Sequence, residues 1–165
     1  MAKSKREDRM LFHVDETTEG NNTTQDFEAI GKDNEELTTE LNNDVQSEEN
    51  VLGEVNVDVT KRPKVTSIDP SFYRSDSKLS KKLKAIEWED KDGDDVKEKF
   101  MEVDKTETAS EGEYKAYQQM AAINLRSYGG NTRGISYPYE LHWTGPKTYG
   151  TFNPTSKTFT PTANG

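Results

Sequence analysis

Residues 35–60 hold two runs in which apolar and polar side chains alternate with a period of two, and no other feature constrains the fold as much. In the first run Leu37, Thr39, Leu41 and Val45 take odd positions, and Glu36, Thr38, Glu40, Asn42 and Asp44 take even ones. In the second, Val55, Val57 and Val59 alternate with Glu54, Asn56 and Asp58. Strand side chains point to opposite faces in turn, so each run predicts a half-buried strand. One face of each is for a core and the other for water. Residues 47–53, with Asn50 and Gly53, supply the reversal. The pair reads as a ribbon whose wet face carries only acids and neutral amides. Glu36, Glu40, Asp44, Glu54 and Asp58 are the candidates for an acidic wall.

A chain of 165 residues suits one domain, read as residues 10–160 between a basic arm at 1–9 and a short flexible tail at 161–165. Hydrophobic residues make up 30% and mean hydropathy is −1.05, which is low for a chain that must bury a large private core. Such a chain folds well if neighbours in an assembly supply part of the buried surface. With no cysteine, disulfides, thiolate zinc sites and cysteine nucleophiles are excluded. No apolar run approaches a membrane helix of roughly 20 residues, and no signal-peptide core follows the basic start. Synthesis in the cytoplasm, with no membrane binding, is the expectation. The net charge of −9 opposes tight nucleic-acid binding, which draws on clustered Lys and Arg. It leaves open contact with DNA that must slide without sticking.

The rest of the chain is mainly strand-like. Lys3, Lys5, Arg6 and Arg9 fall in a segment that reads either as an unstructured terminus or as an arm ordering on a neighbouring subunit. Residues 10–14 form a short apolar strand, and the turn formers of 15–25 predict a loop before a strand over 26–30. Pro63 and Pro70 forbid a helix over 61–76, leaving an extended crossover with Ile68, Phe72 and Tyr73. Leu79, Leu83 and Ile86 then recur at helical spacing after the caps Asp76 or Ser77, with Lys78, Lys81, Lys82 and Lys84 outward. This is the one expected helix. Residues 89–95 read as an acidic hairpin turn, with a calcium loop as the alternative. Strands follow over 96–106 and 113–128, the middle of the second being compatible with helix. Another strand is expected over 135–143, where Ile135, Tyr137, Tyr139, Leu141 and Trp143 share a face and Pro138 marks an edge or bulge. Turns at 129–131 and 144–147 and a terminal hairpin over 148–160 complete a mainly β sandwich or barrel of antiparallel sheets with one flanking helix.

Catalytic patterns are missing. His13 and His142 lie in separate strands without carboxylates at metal-ligand spacing, and there is no nucleophile elbow, P-loop or dinucleotide fingerprint. The carboxylates sit on polar faces or in turns, where nothing predicts a perturbed general acid. The expectation is a protein with no enzyme activity, cofactor or metal.

The order of four stretches resembles the major tail-tube proteins of long-tailed phages, especially those infecting Gram-positive bacteria. They are ENVLGEVNVDVT, SIDPSFYRSDSKLSKKL, INLRSYGGNTRGISYPYELHWTG and GTFNPTSKTF. The basic first nine residues and the EDKDGDD turn have no counterpart in that resemblance. It implies two antiparallel sheets packed as a sandwich with one helix, and copies forming hexameric rings stacked into a hollow tube in the virion. The tube would hold a tape-measure protein, meet tail-terminator and initiator proteins, and conduct DNA. An acidic lumen would let phosphate pass without the attraction of basic grooves. Lys3, Lys5, Arg6, Arg9, Ile68, Pro70, Phe72 and Tyr73 would then be candidates for contacts between subunits or rings. An inner-tube protein of a contractile tail or secretion system fits the same pattern. So does a carbohydrate- or receptor-binding β-sandwich, in which Tyr137, Tyr139 and Trp143 would form a sugar platform, although their alternation favours burial.

Overall fold

The computed structural model describes residues 2–162. Met1 of the basic arm and residues 163–165 of the expected tail lie outside the described residues. The strands, in chain order, are β1 (Arg9–Glu19), β2 (Asn22–Ala29), β3 (Thr39–Glu40), β4 (Asp44–Glu49), β5 (Val55–Thr60) and β6 (Val65–Ile68). After the helix α1 (Lys78–Trp88) come β7 (Lys97–Ser110), β8 (Glu113–Leu125), β9 (Gly129–Asn131), β10 (Gly134–Ser136), β11 (Tyr139–Asn153) and β12 (Thr158–Pro161). Eight of the strands join in one antiparallel sheet of order β2-β1-β7-β8-β11-β6-β3, with β12 paired to the far end of β11. β4–β5 and β9–β10 are separate two-stranded ribbons. The mainly β, antiparallel class with one helix is as the sequence predicts.

The register places a different core on each face of the large sheet. Leu11, Phe100, Tyr117, Ala121, Ile123, Tyr139, Leu141 and Trp143 share one face. The helix covers it with Leu79, Leu83 and Ile86, the residues its 3.6 period selects. Ser77 caps that helix by accepting the Ser80 N–H at 3.0 Å. The opposite face holds Val14, Met101, Val103, Ala116 and Phe152, joined by Phe12, Phe27, Tyr114 and Phe159. Three strands separate β2 from β11, so in a flat sheet Phe27 and Phe152 would stand roughly 19 Å apart. Their ring centroids lie 5.0 Å apart, edge to face. The sheet therefore curls around this second core toward a barrel.

Several local elements differ from the sequence expectation. Residues 15–25 are not a loop: β1 and β2 pair from Phe12↔Ala29 to Glu19↔Asn22. Cross-strand threonines support the pairing, and Gly20, at φ +60, opens a two-residue turn. The expected strand over 135–143 is cut at Pro138. Ile135 falls in β10 and stays exposed, while Tyr137 is buried in the first core and its N–H donates to the Ser71 carbonyl. The turn expected at 144–147 is a bulge inside β11, which takes four steps between Thr144 and Thr148 against two in β8, from Met120 to Gln118. Gly145 at φ +76, and Pro146 without an N–H, absorb the extra residues.

Candidate assembly surface

The ribbon predicted over 35–60 exists, but its lower half is a free-standing hairpin. Asn42 takes a left-handed φ of +56 and separates β3, which joins the main sheet, from β4. β4 and β5 pair from Asp44↔Thr60 to Glu49↔Val55. At the tip, the Asn50 side chain accepts the Leu52 N–H at 2.9 Å and the Glu54 N–H at 3.0 Å, and Gly53 adopts φ +79. The sequence thus builds its own turn.

The register fixes the two faces. Val45, Val55, Val57 and Val59 lie together with Ser47 and Glu49, and Asp44, Glu48 and Asp58 lie opposite with Gln46 and Asn56. Glu54, just before β5, continues this even row, its carbonyl accepting the Asn50 N–H at 3.0 Å. The half-buried expectation fails here, because the four valines are 59–63% exposed. Among the described residues, no other element packs extensively against this hairpin. Of the predicted wall, Asp44, Glu54 and Asp58 share a face. Glu40 sits in β3 of the large sheet and Glu36 in irregular chain, so neither extends it. Glu48, which the sequence reading missed, belongs to the wall; continuing the even positions beyond Asp44 would have found it. Arg62 meets Asp44 at 3.0 Å at the root, neutralising that end.

The root is held by a polar network assembled from residues far apart in the chain. The Lys64 ammonium lies 4.4 Å from the Trp143 ring centroid and 4.6 Å from that of Tyr117, and it also hydrogen-bonds the Tyr117 hydroxyl. Tyr117 donates to Glu102 at 2.6 Å, and Arg9 donates to the same carboxylate oxygen at 2.9 Å. Burial pushes Lys64 down to about 8. Burial alone would raise Glu102, but the Tyr117 hydrogen bond and the Arg9 guanidinium outweigh it and hold the carboxyl below its usual range. Trp143 Nε1 donates to Thr66, whose hydroxyl meets that of Thr39 at 2.6 Å. The hairpin therefore springs from a hydrogen-bonded base in which Glu102, Tyr117, Trp143 and Thr66 are buried.

The remaining candidates scatter. Lys3 and Lys5 are at the surface, whereas Arg6 donates to the Leu37 carbonyl at 2.9 Å and Arg9 is tied into the network above. Ile68 is a core residue, 2% exposed, so its side chain is not presented to a neighbour. Pro70, Phe72 and Tyr73 are half-buried, with the Arg133 guanidinium 5.3 Å from the Phe72 ring centroid and Tyr73 6.3 Å from Tyr137. Under the helix, His13 Nε2 lies 3.3 Å from Glu98, and Lys82 bridges Glu98 to Asp15. This latches α1 to the sheet. His142 stands elsewhere, 3.9 Å from Glu140. Among the described residues no group of three His, Asp or Glu could hold a metal ion, and no helix is long and apolar enough to cross a membrane. No family model matches the chain, and a search of curated proteins returns no match.

Proposed function

We propose that this chain is a self-assembling structural subunit, of the kind that closes into rings and stacks into a hollow tube, as the resemblance to phage tail-tube proteins implies. The observation that carries the reading is the β4–β5 hairpin. It has four exposed valines on one face, acids on the other and, among the described residues, two unpaired edges. An isolated two-stranded hairpin is marginal in water, and a contiguous exposed apolar face marks a contact surface. Open edges call for pairing, and closure into a barrel shared among subunits removes them. In such a ring the valines pack against neighbours while the root half of the acidic face, with Asp44 and Asp58, looks into the lumen. The residues 44–60 contain no Lys or Arg, so that wall repels phosphate and lets DNA pass. A tape-measure protein would occupy the lumen before DNA does.

The sugar-platform reading loses its residues, since Tyr137, Tyr139 and Trp143 are all buried. The test is negative-stain electron microscopy of the purified chain, concentrated over days, beside a sizing column. Rings or tubes are the expected result. Compact particles that persist even with a tape-measure protein added would overturn the proposal.

A further inference from the structure

The hairpin ends in Val51, fully exposed, and Leu52, 77% exposed, held away from the body by the Asn50 turn. Strands of six residues carry this tip roughly 20 Å beyond the root. Around it stand Glu48, Glu49 and Glu54. The tip is thus two aliphatic side chains in a collar of carboxylates.

A complementary surface exists on the helix. Lys81, Lys84, Ala85 and Trp88 follow i, i+3, i+4 and i+7 spacing, which sets them on one stripe of α1 apart from the buried Leu79, Leu83 and Ile86. Trp88 is 76% exposed although it is the largest side chain on the helix. Tyr73 flanks the stripe, with the Lys84 ammonium 5.6 Å from its ring centroid. Together with Glu89 these residues line a groove of about 320 Å³. Its floor is apolar and aromatic, and lysines outnumber acids along it in a chain of net charge −9.

We propose that the hairpin tip of one copy docks in the α1 groove of another copy. Val51 and Leu52 cover Trp88 and Ala85, while Glu48, Glu49 and Glu54 face Lys81 and Lys84. This rests on the self-assembly reading and names the surface that receives the hairpin. Charge complementarity selects the occupant: the tip offers three acids without a cation, and the groove offers the matching pair of lysines. Exposed pairs of this kind add specificity more than affinity, so the aliphatic-to-indole contact supplies the grip.

The lack of native cysteine makes the test clean. Leu52→Cys chains are mixed with tagged Glu89→Cys chains at high concentration and treated with a short bis-maleimide. A crosslinked heterodimer is expected, and Trp88→Ala in the tagged chain should lower its yield. Lys81→Glu/Lys84→Glu in the tagged chain should weaken crosslinking roughly tenfold. Glu48→Lys/Glu49→Lys/Glu54→Lys in the other chain should restore it. If the wild-type chain forms rings but no heterodimer appears, or if its yield ignores charge reversal, the docking is wrong and the assembly reading stands. A charge-sensitive heterodimer without rings keeps the docking and removes the tube. Neither rings nor heterodimer removes both.

Discussion

The centre of the large sheet and the β4–β5 hairpin carry the same alternating pattern and meet opposite fates. In β11, Tyr139, Leu141 and Trp143 lie on one face and are at most 2% exposed, because β8 and β6 flank the strand and α1 covers that face. In the hairpin, Val55, Val57 and Val59 lie on one face and remain about 60% exposed. A period of two fixes that a segment is a strand and which side chains share a face. It does not say whether the cover comes from the same chain. An alternating run left uncovered in its own fold is a statement about neighbours.

Mutations on the two sides should separate this most sharply. Trp143 fills the first core and packs edge to face against Phe100, with centroids 6.0 Å apart. Trp143→Ala should cost about 3–5 kcal/mol in denaturant unfolding of the dilute chain, because removed apolar contact is compounded by a cavity. A loss below about 1 kcal/mol would mean that the covered face is not the stable one.

The network at the hairpin root comes next. Glu102→Gln keeps a partner for Tyr117 but removes the charge opposite Arg9, whose side chain is half exposed, so about 1–2 kcal/mol is expected at neutral pH. The pH dependence follows the sign of the shift. Glu102, Glu98 and Asp15 are all held below their ordinary values of 4.5, 4.5 and 3.8. The unfolded chain therefore takes up protons first, and their contribution, present above those values, is lost as pH falls through the lower folded ones. Glu102→Gln should flatten this acid limb. Lys64 acts in the opposite range. Its folded value of about 8 lies below the ordinary 10.5, so the unfolded chain binds more protons between them and stability rises over that window. Lys64→Met should abolish the rise, as read from urea midpoints at pH 8 and pH 10.5.

How far the sequence reveals these regions depends on the range of the interaction. The α1 cap and stripe, the turn at Asn50 and the long β7–β8 pair are set by neighbours in the chain, and the sequence reading finds them. The β1–β2 hairpin was hidden because Asp, Thr, Asn and Gln look like loop residues, and only their cross-strand partners make them strand. The bulge in β11 was hidden for the converse reason. Gly145-Pro146 carries a turn signal, yet β8 continues alongside and holds the strand in register on both sides. The polar root was illegible, since Arg9, Lys64, Glu102 and Tyr117 come from four segments that only the sheet brings together. The acidic face was legible in part: alternation gave Asp44, Glu54 and Asp58, and Asn42 broke the continuity that would have added Glu40.

A smaller effect tests the cover itself. Ser77→Ala removes the cap at the start of α1 and a hydrogen bond of 2.6 Å to Glu28 on β2. About 1 kcal/mol is expected from the cap, with fraying seen as faster amide exchange in the first helical turn. Unchanged exchange at residues 78–81 would show that the lid is held by its packed leucines alone.

The smallest effect on the folded chain should accompany the largest effect on assembly. Val57 and Val59 face water in the single subunit, so Val57→Ser/Val59→Ser removes little burial, and stability of the dilute chain should stay within about 0.5 kcal/mol. In a ring the same valines are covered. Each buried valine is worth about 1.5 kcal/mol or more, so two per subunit should shift the concentration needed for assembly by at least about a hundredfold. The two readouts are urea unfolding at low concentration and the threshold for rings by electron microscopy. An unchanged threshold would place the interface elsewhere. A large loss of monomer stability would mean that the valine face is already covered within the single chain, and the contrast between hairpin and sheet would disappear.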